Sequence, residues 1–320
     1  MSINRRTFNV AGAAAFAAPL ALAQDKPPMR ILVGFPPGGS SDIVARLVAD
    51  RMRTALGQNV IVDNKPGAAG RVALGEVKRS APDGQTLVLA PSGALVVLPW
   101  LYKNLGYDPV RDFTPVARVV TFDFAITAGP GAPSGDLKAI LAWMKDNPSK
   151  ANYATPGAGT VPHFTGVLLS QSAGIAMTHV AYKGGAPAAN DLLGGQIPLM
   201  IDTPLETIEQ HRAGKLRIVG VTGEARTKSI PEVPTLKEQG IAMTADAFFG
   251  LYGPAGMTPE LTQRIARAVA DALKQSDVAE RIVSLGLVSA YGSGDELAAV
   301  QAAHLKRWEG PIKASGFTAE

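Results

Sequence analysis

The sequence contains no cysteine. That excludes disulfides, thiolate nucleophiles and cysteine-based metal sites together. Histidine is nearly as scarce, with four residues, at positions 163, 179, 211 and 304. None has the His-x-x-x-His spacing that would put two imidazoles on one helix face for zinc. The Gly-x-Ser-x-Gly elbow of serine hydrolases is missing, and so is the Gly-Lys-Thr/Ser ending of a phosphate-binding loop. Charge of one sign is also lacking. The 31 basic and 27 acidic side chains leave a formal net charge of +4. Arg5 and Arg6 account for two of those positive charges. So balanced a chain lacks the dense basic face of a nucleic-acid binder. Long apolar runs are absent too. The uncharged stretch Val10 to Ala23 is 14 residues long, short of the roughly 20 that a spanning helix needs.

What is present is a globular composition, with 46% hydrophobic and 18% charged residues over 320 positions. That length suits two domains better than one. The 34 glycines and 24 prolines imply many turns between short elements. At the N-terminus, Arg5-Arg6, the Ala/Leu-rich run and Ala21-Leu22-Ala23 read as a signal peptide, residues 1–23, cleaved after Ala23. The paired arginines leave both the general secretory and the twin-arginine routes open.

After residue 23, short apolar runs alternate with helical patterns. Met29 to Phe35 reads as a buried strand ending in Pro-Pro-Gly-Gly. Ser40-Ser41-Asp42 then offers N-cap chemistry, and Ile43, Val44, Leu47, Val48 and Met52 recur at helical spacing. Strands at 59–62 and 87–90 complete a β-α-β-α-β succession, which predicts a doubly wound, largely parallel sheet. The β-branched stretch 116–127 leads out of this unit, and the pattern restarts. Helices are expected at 136–145 and from Phe164. Strands are expected at 152–154, 178–181, 198–201 and 216–221. Residues 247–251 cross back, and helices at 259–274 and 296–313 close the chain. The expected organisation is one lobe of residues 24–125 and 247–320 and a second of residues 126–246.

Two Gly-rich loops sit at equivalent places, each leaving a strand and entering a helix. They are Gly34-Phe35-Pro36-Pro37-Gly38-Gly39-Ser40-Ser41-Asp42 and Thr155-Pro156-Gly157-Ala158-Gly159-Thr160-Val161-Pro162-His163. Helix N-termini expose unpaired N–H groups with partial positive charge, so two of them facing one cleft favour a carboxylate. A third loop, Tyr182-Lys183-Gly184-Gly185-Ala186-Pro187, occupies the same context in the second lobe. Asp202 ends the strand at 198–201, where a cleft residue or a helix N-cap belongs.

Taken in order, these segments resemble the Bug family of periplasmic solute receptors, the binding components of tripartite tricarboxylate transporters. The resemblance also rests on Asn64-Lys65-Pro66-Gly67-Ala68-Ala69-Gly70, Ala81-Pro82-Asp83-Gly84, Leu105-Gly106-Tyr107-Asp108-Pro109, Asp112-Phe113-Thr114-Pro115-Val116, Asp191-Leu192-Leu193-Gly194-Gly195-Gln196 and Val233-Pro234-Thr235. It runs over essentially the whole chain after residue 23. It implies an α/β, two-lobed type II periplasmic binding fold, each lobe a doubly wound, mostly parallel sheet flanked by helices. It further implies hinge closure on a small carboxylated solute, no metal or organic cofactor, and no catalysis. The implied partners are the membrane subunits of a transporter or a membrane sensor, with a monomeric receptor and no nucleic acid. An exported hydrolase using His163 and Asp202 is the contrasting reading.

On this basis Phe35, Pro37, Gly38, Gly39, Ser40 and Asp42 are expected on one wall of the ligand site, with Ser92 nearby. Thr155, Gly157, Gly159, Thr160, His163, Tyr182, Gly184 and Asp202 are expected on the other. The glycines would present backbone donors, Ser40 and Thr160 hydroxyls, and Phe35 apolar surface. Arg71 stands where the family usually carries Asn, Ser40-Ser41 where Gly-Thr is common, and Phe248 where Trp is frequent. Arg71 is therefore expected to pair with a second carboxylate of the ligand.

Overall fold

The computed structural model describes residues 27–318, so the expected leader and its cleavage point lie outside the described residues. The first lobe opens with β1 (Met29–Val33), α1 (Ser40–Leu56), β2 (Val60–Asn64), α2 (Arg71–Lys78) and β3 (Thr86–Pro91). Two single-turn helices, α3 (Gly93–Val96) and α4 (Leu98–Leu101), lead to the long strand β4 (Phe113–Asp123). The second lobe holds β5 (Ala125–Ala128), α5 (Leu137–Asp146), β6 (Asn152–Thr155), α6 (Val161–Ala173) and β7 (Thr178–Ala181). It continues through α7 (Gly185–Leu193), β8 (Leu199–Asp202), α8 (Ile208–Arg212) and β9 (Arg217–Val221). The chain returns in β10 (Asp246–Pro254) and ends with α9 (Pro259–Lys274), α10 (Ser276–Ser284), β11 (Val288–Ser293) and α11 (Gly294–Ser315).

Apart from Arg30, which pairs with Asp63 and Glu76, strand β1 is apolar because helices cover the sheet on both faces. Ile31, Leu32 and Val33 are fully buried. Helix α1 buries Val44, Ala45, Val48, Ala49 and Met52 along one stripe and packs against α9. The first sheet has the order β11-β4-β10-β3-β1-β2 and the second β7-β6-β8-β5-β9. In each, three strands run parallel: β2, β1 and β3 in the first, β7, β6 and β8 in the second. The sheets are mixed because strands that enter from the other lobe run against these trios. Strand β10 is antiparallel to β3 and β4, and β5 is antiparallel to β8 and β9.

One residue, Phe124, separates β4 in the first sheet from β5 in the second. The return crossing lies beside it, with Asp246 opposite Asp123 in register. Buried Thr222 laces the two crossings together. Its hydroxyl accepts from the Phe124 N–H at 2.8 Å and donates to the Ala245 carbonyl at 2.5 Å. The lobes are thus joined by two short, adjacent, hydrogen-bonded segments, the construction of a hinge.

Candidate functional site

A cleft between the two sheets is lined by loops at the carboxyl ends of the parallel strands β1, β3, β6, β7 and β8. That is where open α/β sheets hold ligands. Three helices begin there: α1 at Gly39 to Ser41, α6 at Thr160 to Pro162, and α7 at Gly184 to Pro187. None of the three has a side-chain N-cap. By contrast Asp136, Thr258 and Ser293 cap the surface helices α5, α9 and α11. The cleft helices therefore keep first-turn N–H groups for a partner outside the helix.

The loop into α1 is held from behind. Gly38 has φ +86°, a left-handed conformation that a side chain would strain. Its N–H donates to Asp42 Oδ2 at 3.0 Å. Asp42 also accepts from Arg46 Nε at 3.0 Å and from Asn64 Nδ2 at 3.0 Å, and Asn64 in turn donates to the Phe35 carbonyl. Burial pushes the Asp42 carboxyl up, but Arg46, the Gly38 N–H and Asn64 outweigh it and hold it below the ordinary value of 3.8. Asp42 is the clamp that shapes the loop, and it faces away from the cleft lining.

The loop into α6 is shaped in a similar way. The Thr160 hydroxyl donates to the Gly157 carbonyl at 2.7 Å, and the Gly159 N–H donates to His163 Nδ1 at 3.2 Å. The His163 ring stacks on His179, with centroids 3.9 Å apart, and His179 Nε2 meets Thr155 Oγ1 at 2.6 Å. Burial pushes His163 down to about 4. Burial and then the neighbouring His163 push His179 down to about 3. Both rings are neutral at pH 7, and His163 serves the loop as a hydrogen-bond acceptor. Between their ordinary value of 6.5 and these lower values the unfolded chain binds more protons, so the pair loses stability as pH falls through that window. In an imidazole NMR titration of the folded protein, two rings should stay neutral down to about pH 5. Titration of either ring near 6.5 would show that the stack is solvated.

The remaining wall carries two carboxylates. Asp202, at the end of β8, is 6% exposed. Its Oδ1 accepts from the Thr203 N–H at 2.7 Å, whereas Oδ2 is buried with no partner. Glu206, half-buried one turn further on, accepts from the Ser40 N–H at 2.7 Å and so bridges the second lobe to the start of α1. No Lys, Arg or His lines this cleft among the described residues.

Of the residues expected at the site, Phe35, Gly39, Ser40, Ser92, Gly159, Thr160, Gly184 and Asp202 line the cleft. Pro37, Gly38, Asp42, Arg71, Thr155, Gly157, His163 and Tyr182 stand outside the lining. Pro37 and Gly38 are exposed. Asp42, Thr155, Gly157 and His163 support the loops from within. The Tyr182 hydroxyl donates to Asp191 at 2.7 Å, and Lys183 is exposed. Arg71 is engaged elsewhere. Its guanidinium lies 4.0 Å from the centroid of the Tyr102 ring and donates to the Leu105 carbonyl at 3.0 Å, so it does not reach the cleft. Sequence reasoning passed over Glu206 and the apolar wall of Phe122, Phe124 and Phe249. The available signal for Glu206 was an acidic residue four positions after Asp202, past a proline that turns the chain.

The chain and its fold have counterparts among known proteins. The chain matches the tripartite tricarboxylate transporter family receptor over residues 44–317. It is 35% identical over 289 residues to a UPF0065 protein of Bordetella bronchiseptica, covering 89% of this chain and 85% of that one. The chain belongs to the tripartite tricarboxylate transporter receptor family. The structure of periplasmic binding protein BugD superposes on this receptor with a TM-score of 0.87 at 32% identity, covering 92% of this chain and all of that one. MatC from Rhodopseudomonas palustris, with bound malate, superposes with a TM-score of 0.85 at 30% identity, covering 89% of this receptor and 98% of that chain. The two-lobed α/β architecture is that of the periplasmic binding proteins, and the family is one of solute-binding receptors.

Proposed function

We propose that this receptor works in the periplasm, closes its lobes on a small carboxylated solute and presents the closed form to the membrane subunits of a tripartite tricarboxylate transporter. The observation that carries the reading is the convergence of three helix N-termini without side-chain caps on one cleft lined by no basic side chain among the described residues, with Glu206 already at the start of α1 and the starts of α6 and α7 left open. Backbone N–H groups are then the donors available to an anion, each helix terminus contributing roughly 0.3–1 kcal/mol, and about 2 where partly buried. Seryl and threonyl hydroxyls at Ser40, Ser92 and Thr160 add directional donors, and the phenylalanine wall suits the carbon skeleton of the solute. The malate bound to MatC agrees in chemical class. The laced double crossing at Thr222 supplies the hinge, and a solute that bridges the lobes stabilises the closed form.

A thermal-shift screen of refolded, solute-stripped protein tests this. Mono-, di- and tricarboxylates, with and without amino groups, form the panel, and neutral sugars are the controls. A solute at about 100 times its Kd should add about 2.7 kcal/mol to stability, a rise of several degrees. A response confined to the sugars, or none with any carboxylate, would overturn the reading.

A further inference from the structure

The lobe-2 wall of the cleft is more acidic than an anion site requires. Asp202 and Glu206 both close over Gly185. A Cβ placed on that glycine would lie 2.6 Å from Asp202 Oδ2 and 2.7 Å from Glu206 Oε1, so the two carboxylates share one small space. Asp202 Oδ2 is buried without a hydrogen-bond partner, and so is the adjacent Thr203 hydroxyl. Both residues line the cleft, and no basic side chain stands beside them there. Leaving such acceptors unpaired is costly, and buried carboxylates are ordinarily paired or hydrogen-bonded. Glu206 also alters the facing wall. By accepting from the Ser40 N–H it supplies the start of α1 with an anion from the chain itself. The termini left for a solute carboxylate are those of α6 and α7.

We propose that Asp202 and Glu206 form a subsite for a protonated amine, so that the solute is an amino-bearing carboxylate. The inference rests on the carboxylate reading of the cleft given above. An ammonium group presents three N–H donors. Asp202 Oδ2, Thr203 Oγ1 and the Glu206 carboxylate are the acceptors at this wall, and the carboxylate of the same solute turns to the α6 terminus. The positive charge also relieves the wall. Burial pushes both carboxyls up, with Glu206 adding to the effect on Asp202, so their ionised forms are disfavoured until a cation joins them. A solute carrying carboxylates alone leaves this pair uncompensated.

Matched probes separate the possibilities. Solute-stripped protein is titrated calorimetrically with succinate against L-aspartate, glutarate against L-glutamate, and 3-phenylpropionate against L-phenylalanine. In at least one pair the amino-bearing member should bind ~10–100-fold more tightly, the range for a hydrogen-bonded charge pair. Glu206→Gln and Asp202→Asn should each shrink that ratio, weakening the amino-bearing member of a pair more than its amine-free partner. Circular dichroism melts establish that both variants fold. Amine-free acids that bind as tightly as their partners in every pair that binds overturn this inference and leave the carboxylate reading standing. So does a ratio unchanged in both variants, or a panel whose binding solutes all lack a basic nitrogen. Binding by none of the six probes, together with a carboxylate panel negative throughout, overturns both readings.

Discussion

Replacing Asp42 with alanine should lower stability by about 2–3 kcal/mol and weaken solute binding by roughly tenfold or more. Asp42 lies outside the cleft lining, so the expected loss of affinity follows from the loop it holds. Its carboxylate accepts from the Gly38 N–H, the Arg46 guanidinium and the Asn64 amide. Alanine leaves the Gly38 N–H without its acceptor and frees a loop whose left-handed glycine needs that bond to hold its turn. Arg46 is about half exposed and returns to water at little cost, which keeps the estimate below that for a fully buried pair. Ser40 and Gly39 follow directly in sequence, so a loosened loop misplaces the first N–H groups of α1. Asp42→Asn keeps an acceptor but loses the charge, and should fall between the two. The wild-type advantage over the asparagine variant has a defined pH window. The folded carboxyl sits below 3.8, so the advantage is complete above that value and fades as pH falls through the lower folded one. Denaturant unfolding and calorimetry of the two variants measure both effects. An alanine variant within about 0.5 kcal/mol of wild type, and with unchanged affinity, would show that the loop keeps its shape without the clamp.

Local pattern carried most of the architecture. The apolar run at Met29, the Pro-Pro-Gly-Gly turn and the periodic residues from Ile43 to Met52 specify strand, loop and helix within one stretch of chain, and the second lobe repeats that logic around Thr155. Strand direction was less legible. Nothing near Asp246 records that β10 runs against β3, because direction depends on how the chain returns from the other lobe. Strand β11 gives a weak signal. Val288 is 53% exposed and the strand has no clean alternation. The site divides along the same line. Residues at strand-to-helix turns reach the cleft because the fold puts such turns there. Arg71 does not, because Tyr102 and Leu105, some thirty residues on, capture its guanidinium first. Glu206 escaped notice for the opposite reason. Its role appears when Ser40, 166 residues earlier, comes within 2.7 Å across the lobes.

Gly185→Ala should reduce affinity for the solute by ~10–100-fold with a stability cost of about 1–3 kcal/mol or less. Gly185 is the first residue of α7, and its backbone conformation is open to any residue because its φ is not positive. Strain is therefore not the source of the effect. What matters is the space above its Cα, already taken by the Asp202 and Glu206 carboxylates. An added methyl must push at least one of them aside. Asp202 has little freedom, since its Oδ1 is tied to the Thr203 N–H. Glu206 is the longer side chain and yields first, giving up its bond to the Ser40 N–H and moving into the cleft. That step withdraws the inter-lobe bridge and crowds the solute, so both the closed state and the solute's own contacts suffer. A double variant, Gly185→Ala with Glu206→Ala, removes the obstructing carboxylate. The two changes act on one space, so they should be strongly non-additive, with the second substitution costing far less in the alanine background than alone. Additive losses in that cycle, or full affinity in Gly185→Ala with its fold intact, would mean that the solute does not use the wall formed by Asp202, Glu206 and the start of α7.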